Sequence, residues 1–236
     1  MVLYNRAPLS MLRGILKTSA RNFHMSSTPH IVVAGLGNAP YPSTRHSVGQ
    51  YIVTALSTHL NIPFSSSRLG HTGKGTAYLP SGPVELTLFK SKSLMNVSGP
   101  SIASAFRAAQ VPPEQLVLVY DSLTHAPCRL APRLGGSAQG HNGVKSVMHS
   151  LQATATNKMF WQFRVGVGRG NPAPSVDGEE LRKGGKKAFD KSVDAAQWVL
   201  GPLSLEEKEY WGVGGKGLES VLREIDRVAK GLRKDP

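Results

Sequence analysis

The chain has 236 residues, with 28 Lys and Arg against 15 Asp and Glu, which gives a formal net charge of +13. This length suits one sizeable domain with appendages. The single cysteine, Cys128, excludes an intramolecular disulfide framework and a zinc site built from cysteines, and no apolar run approaches the roughly 18 residues of a membrane span.

The charge is unevenly distributed along the chain. Residues 1–176 contain 16 basic and three acidic residues, whereas residues 177–236 contain 12 of each sign, so the whole net charge lies in the first part. A one-sided positive charge predicts an anionic partner, either a nucleic acid or a membrane surface. Charge alone does not choose between these two partners.

The first 29 residues have the composition of a targeting signal. They contain four basic residues, no acid and several Ser and Thr, and their apolar residues fall on one helical face at Leu9, Leu12, Ile15 and Leu16. This composition is typical of a mitochondrial transit peptide, with a disordered basic tail as the alternative. We therefore expect 1–29 to be a cleavable presequence and the mature protein to lie in the mitochondrial matrix.

Strands and helices are predicted in alternation from Ile31 onwards. Apolar runs and period-two patterns predict strands, and helical spacing of apolar residues predicts helices. The strands are expected at 31–34, 84–89, 116–120 and 163–167, and the helices at 47–60, from Ser98 or Ser101 to Pro112, at 144–151 and at 195–200. This alternation predicts a single three-layer α/β/α sandwich with a mixed, mostly parallel central sheet.

Three segments are distinguished within and beyond this sandwich. We expect the domain to span 30–211 and a charged helical tail to span 212–236. Residues 172–192 interrupt the pattern with two prolines, paired glycines and mixed charge, which predicts an exposed, flexible loop or flap.

Several classes of enzyme are disfavoured by their missing motifs. Gly35-Leu36-Gly37-Asn38-Ala39-Pro40 follows a strand, but Pro40 occupies the third glycine position of a dinucleotide loop and no acid lies about 20 residues further on. The chain contains no Gly-x-Ser-x-Gly elbow and no pair of histidines at metal-binding spacing. We therefore expect neither a metal nor a cofactor.

Polar residues stand where predicted strands end and helices begin. Asn38 follows the first strand, Asp121 ends the strand at 116–120, and His46 and Asn96 precede helices. Ligands of open α/β sheets bind outside the carboxyl ends of the strands, so these side chains are expected to converge there. Taken singly, an Asn at a helix start is usually a cap and a lone His usually packs or lies on the surface.

Together, these residues resemble the motifs of the bacterial-type peptidyl-tRNA hydrolases. The matching strings are Gly35-Leu36-Gly37-Asn38, Tyr41 with Thr44-Arg45-His46, Met95-Asn96-Val97-Ser98-Gly99, Asp121, Gly140-His141-Asn142-Gly143 and Phe163-Arg164-Val165-Gly166-Val167-Gly168. The resemblance runs from Ile31 to Trp211. Its departures are a shortened loop before His46, Ser47 in place of a common Asn, two replaced glycines in the run 135–140, and Thr124-His125 after Asp121.

The resemblance implies hydrolysis of the ester that joins a peptide to the 3′ ribose of a transfer RNA, without a metal. His46 would take a proton from water, Asp121 would orient the imidazole, and Asn38, Asn96 and Asn142 would hold the peptide backbone and donate to the oxyanion.

The same resemblance suggests residues that bind the substrate. Tyr41 and Met95 would shape the pocket wall, although core packing is an equal alternative for Met95. Arg133 and Arg164 resemble a phosphate clamp, and Lys145 is a further candidate, with solvated surface charge as the alternative for each. Ala131 stands where the family frequently has a second basic residue.

The expected partner is the acceptor stem and 3′ end of peptidyl-tRNA, bound by a monomer without stable membrane association, in mitochondrial translation and ribosome rescue. One alternative is a non-catalytic RNA-binding relative on the same fold, used in organellar RNA processing or splicing. Another is a protein of anionic membranes. The latter requires a basic amphipathic helix in the mature domain, and the sequence contains such a pattern only in 1–29.

Overall fold

The computed structural model describes residues 28–152, 160–170, 190 and 192–233. The strands are β1 His30–Gly35, β2 Ser65–Ser66, β3 Gly70–Leu79, β4 Gly82–Ser91, β5 Leu116–Ser122, β6 Leu130–Leu134 and β7 Trp161–Gly166. The helices are α1 Val48–His59, α2 Gly99–Ala109, α3 Asn142–Leu151, α4 Ala195–Leu200, α5 Leu205–Trp211 and α6 Lys216–Leu232. Nearly all of the presequence predicted at 1–29, and most of the loop predicted at 172–192, lie outside the described residues.

All seven strands belong to one sheet in the order β2-β3-β4-β1-β5-β7-β6. The four strands β4, β1, β5 and β7 are parallel, and antiparallel pairs close both edges. This arrangement confirms the predicted α/β sandwich with a mixed sheet. The carboxyl ends of four parallel strands therefore meet along one edge of the sheet.

The sandwich has three layers because the central strands are apolar on both faces. In β1, Ile31 and Val33 pack into one core with side chains of α1 and α6. The intervening Val32 and Ala34 pack into a second core with side chains of α2 and α3. Successive side chains of a strand point to opposite faces, so one unbroken apolar run supplies both cores.

Close backbone packing brings the start of α1 onto the carboxyl ends of β1 and β5. A Cβ atom on Gly35 would lie 2.4 Å from the carbonyl oxygen of Gly49, and one on Gly49 would lie 2.1 Å from the carbonyl oxygen of Val119. Only glycine permits these approaches. The segment immediately before α1 is therefore held directly above the end of β5.

The segment predicted as a charged helical tail, 212–236, contains α6. Leu218, Val221 and Ile225 on one side of this helix are buried in the core. The other side carries exposed ion pairs, such as Arg223 with Glu219. An apolar stripe at helical spacing binds α6 to the sheet, although eight of its 17 residues are charged or polar. Among the described helices, none has both the length and the apolarity to cross a membrane.

Candidate active site

Asp121 lies at the carboxyl end of β5, where it is 3% exposed. Its Oδ1 atom accepts hydrogen bonds from His46 Nδ1 at 2.9 Å and from His141 Nε2 at 2.8 Å. Burial raises the pKa of Asp121, but attraction to His141 and the hydrogen bonds from both imidazoles outweigh burial and hold the pKa below its usual range. The carboxylate therefore stays ionised at neutral pH.

The tautomer of His141 follows from its position as the N-cap of α3. Its Nδ1 atom accepts the backbone N–H of Val144 at 3.3 Å, so the proton resides on Nε2 and is donated to Asp121. The ring also packs edge-on against Tyr120, with ring centroids 4.9 Å apart. The helix start and the aromatic ring together orient His141 toward the carboxylate.

His46 reaches Asp121 from a different element than His141 does. It lies in a short 3-10 helix at Arg45–Ser47 that leads into α1. Its Nδ1–H donates to Asp121, and Nε2 has no hydrogen-bond partner in the described part of the chain. The side chain is 17% exposed, and its ring centroid lies 5.0 Å from that of His141. The free Nε2 atom is therefore available to accept a proton from a ligand or from water.

Asn38 links two loops at the carboxyl edge of the sheet. It is 7% exposed, and its Oδ1 atom accepts the backbone N–H of Met95 at 2.8 Å. Its own backbone N–H donates to Ser47 Oγ at 3.0 Å. With Oδ1 occupied, the Nδ2 group, which has no partner among the described residues, is left as a donor for a ligand. Met95 itself is buried and packs against Gly143.

The remaining predicted pocket residues lie on the surface. Asn96 is exposed in the 3-10 helix at Met95–Val97, and Asn142 is exposed in the first position of α3, next to His141. Tyr41 is 57% exposed on the loop between β1 and α1. Within the described ranges, none of these three side chains forms a hydrogen bond. They are accessible to a ligand, and in the described part of the chain they form no hydrogen bond with His46, Asp121 or His141.

The predicted basic residues lie on one face of the sheet. Arg133 of β6 faces Gln162 of β7, and Ala131 faces Arg164, whose Nε–H donates to the Ala131 carbonyl at 3.1 Å. The Arg133 guanidinium lies against Gly136, where φ is +99° and a Cβ atom would approach within 2.8 Å.

Lys145 is separate from this pair of arginines. It is exposed on α3, in the first turn of the helix that His141 caps. All three of the predicted phosphate-binding residues are therefore accessible to solvent to some degree.

A second cluster holds the loop that carries His46. The Arg45 guanidinium lies 4.1 Å from the ring centroid of Trp198 and its Nε atom lies 3.5 Å from Glu207 Oε1. The backbone N–H of Arg45 donates to the carbonyl of Gly201 at 2.9 Å. The C-terminal helices α4 and α5 therefore fix the residue immediately before His46.

His141 and Arg45 are the functional candidates that sequence reasoning did not assign. Both stand inside the quoted strings, Gly140-His141-Asn142-Gly143 and Thr44-Arg45-His46, next to residues that were assigned. One signal was available for His141, since a polar residue directly before a helix is a cap. Its second bond, to Asp121, depends on how α3 is placed relative to β5.

The three groups of the network also satisfy the spacing of a metal site. One ligand atom each of His46, Asp121 and His141 lie within 4.8 Å of one another. However, the Val144 N–H occupies Nδ1 of His141 and keeps the proton on Nε2, the atom that a metal would need. The geometry is therefore that of a hydrogen-bonded network.

The sequence model of a family described as Peptidyl-tRNA hydrolase matches residues 32–234. A protein of Mus musculus named probable peptidyl-tRNA hydrolase is 38% identical over 138 residues, which cover 58% of this chain and 66%, just under two thirds, of the mouse protein. The peptidyl-tRNA hydrolase of Bifidobacterium adolescentis is 31% identical over 206 residues, which cover 84% of this chain and 93% of the bacterial protein.

Solved structures show the same fold. A crystal structure of peptidyl-tRNA hydrolase from Acinetobacter baumannii superimposes with a TM-score of 0.61 at 23% identity, covering 88% of this chain and 91% of the bacterial one. A peptidyl-tRNA hydrolase in complex with n-propanol gives a TM-score of 0.62 at 22% identity, covering 89% and 93%. The match to the family model extends past Trp211 and includes α6.

Proposed function

Because the chain belongs to the peptidyl-tRNA hydrolase family, we propose that it hydrolyses the ester bond between a peptide and the 3′ ribose of a tRNA through His46 and Asp121. The family match confirms the resemblance that the motifs indicate. The observation that carries the assignment of roles is the buried, ionised Asp121 carboxylate, which accepts hydrogen bonds from two imidazoles of fixed orientation.

In the proposed mechanism, His46 acts as the general base. Its Nδ1–H is held by Asp121 at 2.9 Å, so Nε2 accepts a proton from water as the water oxygen bonds to the ester carbonyl carbon. The Asp121 carboxylate stabilises the resulting imidazolium. When the bond to the ribose oxygen breaks, His46 returns the proton to that oxygen, which releases free tRNA and a peptide carboxylate.

His141 acts on Asp121 from the other side. Its Nε2–H donates to the same carboxylate oxygen at 2.8 Å, and its capping bond to Val144 prevents the ring from turning away. A charge-assisted hydrogen bond of this kind contributes about 1.5–3 kcal/mol. In this proposal His141 is a positioning residue that keeps the Asp121 oxygen aligned with His46.

The three asparagines supply neutral donors for the substrate. Asn38 Nδ2 is the most constrained, because the Met95 N–H fixes the amide through Oδ1. Asn96 directly follows Met95, and Asn142 directly follows His141. Both side chains are exposed and are accessible to the peptide backbone. Loss of one donor to a developing oxyanion typically costs about 3–4 kcal/mol of barrier.

The RNA is assigned to the basic surface. Arg133, Arg164 and Lys145 would contact phosphates of the acceptor stem, since guanidinium groups bind phosphate oxygens bidentately. This assignment agrees with the excess of 13 positive charges in residues 1–176.

We also propose that 1–29 directs the protein to mitochondria, where the substrate would be peptidyl-tRNA released during mitochondrial translation. Its four basic residues, its lack of acids and its apolar helical face support this proposal. Residues 1–29 fused to a fluorescent protein should direct it to mitochondria, and the same fusion with all four basic residues changed to Gln should remain outside.

The central experiment measures release of peptide from peptidyl-tRNA by the purified protein and by His46→Ala. General acid–base catalysis contributes about a hundred- to ten-thousandfold, so the variant should lose that much of kcat. The matched control is His149→Ala, which removes an exposed histidine of α3 and should leave kcat unchanged. Equal rates for wild type and His46→Ala would refute the mechanism, and tRNA binding without any hydrolysis by wild type would favour the non-catalytic alternative.

A further inference from the structure

The outer ribbon of β6 and β7 has one apolar face and one basic face. Leu130, Phe163 and Val165 belong to the core that contains α6. Side chains of a strand alternate between faces, so Arg133 and Arg164 lie on the opposite side. This side is the basic face of the ribbon.

Arg129 extends this basic face toward the active site. Its carbonyl accepts the backbone N–H of Gly166 at 2.7 Å, which continues the β6–β7 ladder by one residue beyond Leu130. Arg129 is therefore two residues from Ala131 and four from Arg133, on the same face as both. Side chains two apart on a strand are separated by about 6.7 Å.

The register places Arg129 at the level of the catalytic carboxylate. Asp121 pairs with Val165, and the next residue, Ser122, pairs with Gly166, the residue bonded to Arg129. Arg129 thus lies one step beyond Asp121 along the sheet, whereas Arg133 lies at the far end of β6. Of the arginines on this face, Arg129 is nearest to the edge where the ester must bind.

Arg129 and Arg164 both exert their positive charge on His125, which lies beside the end of β5. Its Nδ1 atom lies 2.7 Å from Ser122 Oγ at the end of β5. Burial, followed by the positive charges of Arg164 and Arg129, lowers the pKa of His125. The two guanidinium groups therefore produce a positive field at the carboxyl end of β5.

No carboxylate in the described ranges pairs with the arginines of this face. Elsewhere, arginines do have acidic partners: Arg45 pairs with Glu207, Arg223 with Glu219 and Arg227 with Glu224. Arg129 and Arg133 are exposed, so their charge is available to an anion in solution. Ala131, which lies between them on the same face, carries no charge.

We propose that Arg129 binds a backbone phosphate of the tRNA between the active site and the phosphate held by Arg133 and Arg164. This inference rests on the proposed function, since it takes peptidyl-tRNA as the ligand. Arg129, directly before β6, supplies a positive charge on the face where Ala131 of β6 supplies none. The RNA strand then runs along the basic face toward the His46–Asp121 pair.

The test compares Arg129→Ala with Arg223→Ala, which removes the same charge from the exposed side of α6. Affinity for deacylated tRNA and the kinetics of peptidyl-tRNA hydrolysis are measured over a range of salt concentrations. Arg129→Ala should raise Kd and KM about three- to tenfold, leave kcat unchanged, and reduce the slope of log K against log salt by about 0.7–0.9, the value for one phosphate contact. Arg223→Ala should change none of these quantities.

A compensating variant tests the position of the charge. Arg129→Ala combined with Ala131→Lys should recover most of the lost affinity and of the salt slope, because residue 131 lies opposite Arg164 on the same face. A peptidyl ester of the 3′-terminal nucleoside, which contains no phosphate, should be hydrolysed by Arg129→Ala at the wild-type rate.

Two outcomes separate this inference from the proposed function. Unchanged Kd, KM and salt slope in Arg129→Ala, with normal hydrolysis, would overturn the phosphate contact and leave the enzymatic function intact. Absence of hydrolysis by wild type would overturn the function, and the tRNA-binding comparison would still decide whether Arg129 contacts RNA. A lower rate of Arg129→Ala on the nucleoside ester would show damage to the active site and would also overturn the inference.

Discussion

The site depends on Asp121, because one oxygen of its buried carboxylate accepts hydrogen bonds from two imidazoles. An asparagine at this position would have nearly the same shape as the aspartate but would carry no negative charge. The imidazole of His46 would lose the group that holds its tautomer, and the imidazolium formed in the reaction would lose its counter-charge.

We therefore predict that Asp121→Asn lowers kcat about a thousand- to ten-thousandfold, by analogy with the effect of an amide at the equivalent position of a catalytic triad. KM should change little, since the Asp121 carboxylate is buried beneath two imidazoles and is not among the residues that we assign to RNA binding. Single-turnover hydrolysis of peptidyl-tRNA measures the effect. A reduction of less than tenfold would mean that His46 is held by other groups.

The same substitution should alter the pH dependence of stability. The pKa of Asp121 is lowered by folding, so its contribution to stability is fully present above the unfolded value of about 4 and is lost as the pH falls toward the folded value. Wild type should accordingly lose part of its stability below about pH 4, and Asp121→Asn should lose less over that interval. Tm measured from pH 2 to pH 7 tests this difference.

The positions of Asn38, His46 and Asp121 could be predicted because the ends of parallel strands meet at one edge. The hydrogen bond from His141 to Asp121 could not be predicted, because it requires α3 to begin beside the end of β5. The exposure of Asn142 next to the buried network also depends on the direction in which the helix starts. Such relations between distant segments leave no periodic signal in one sequence.

At the scale of elements, the C-terminal helices support the loop that carries His46. Glu207 has two roles. Its Oε2 atom accepts the backbone N–H of Ser204 in the capping box of α5, and its Oε1 atom faces the Arg45 guanidinium. Since glutamine also forms a capping box, the two roles can be separated by one substitution.

We predict that Glu207→Gln retains α5 but leaves the Arg45 guanidinium, whose side chain is only 15% exposed, without a counter-charge. The free energy of unfolding should fall by about 1–3 kcal/mol, and kcat should fall modestly because His46 directly follows Arg45. Urea denaturation and hydrolysis assays provide the two measurements. Glu219→Gln is the matched control, because its ion pair with Arg223 is exposed and such pairs contribute at most about 1 kcal/mol.

Elements with apolar runs could be predicted from the sequence, whereas β3 and β6 could not. β3 contains Gly70, Gly73 and Gly75, which weaken a strand pattern, although the hairpin with β4 extends over ten residue pairs. β6 has Pro132 at its centre, which an edge strand tolerates because one side of its backbone is unpaired. Both strands depend on a neighbouring strand rather than on their own composition.

At the scale of the whole molecule, the structure shows where part of the excess positive charge lies. Four of the 16 basic residues in 1–176 belong to 1–29, and Arg129, Arg133 and Arg164 lie on one face of the β6–β7 ribbon. The electrically neutral C-terminal part includes α6, in which Arg223 pairs with Glu219 and Arg227 pairs with Glu224 on the other side of the sheet. Net charge predicts a polyanionic partner, and the register of the sheet leads us to propose that this partner binds along the basic face.

This distribution predicts which basic residues control the affinity for tRNA. Arg133→Ala should weaken binding and reduce the slope of log K against log salt by about 0.9, because one phosphate contact and its counterion release are lost. Lys216→Ala removes the same charge from the exposed start of α6 and should leave both quantities unchanged. If the two variants lowered the affinity and the slope equally, binding would depend on net charge alone, and the basic face would have no special role in holding the RNA.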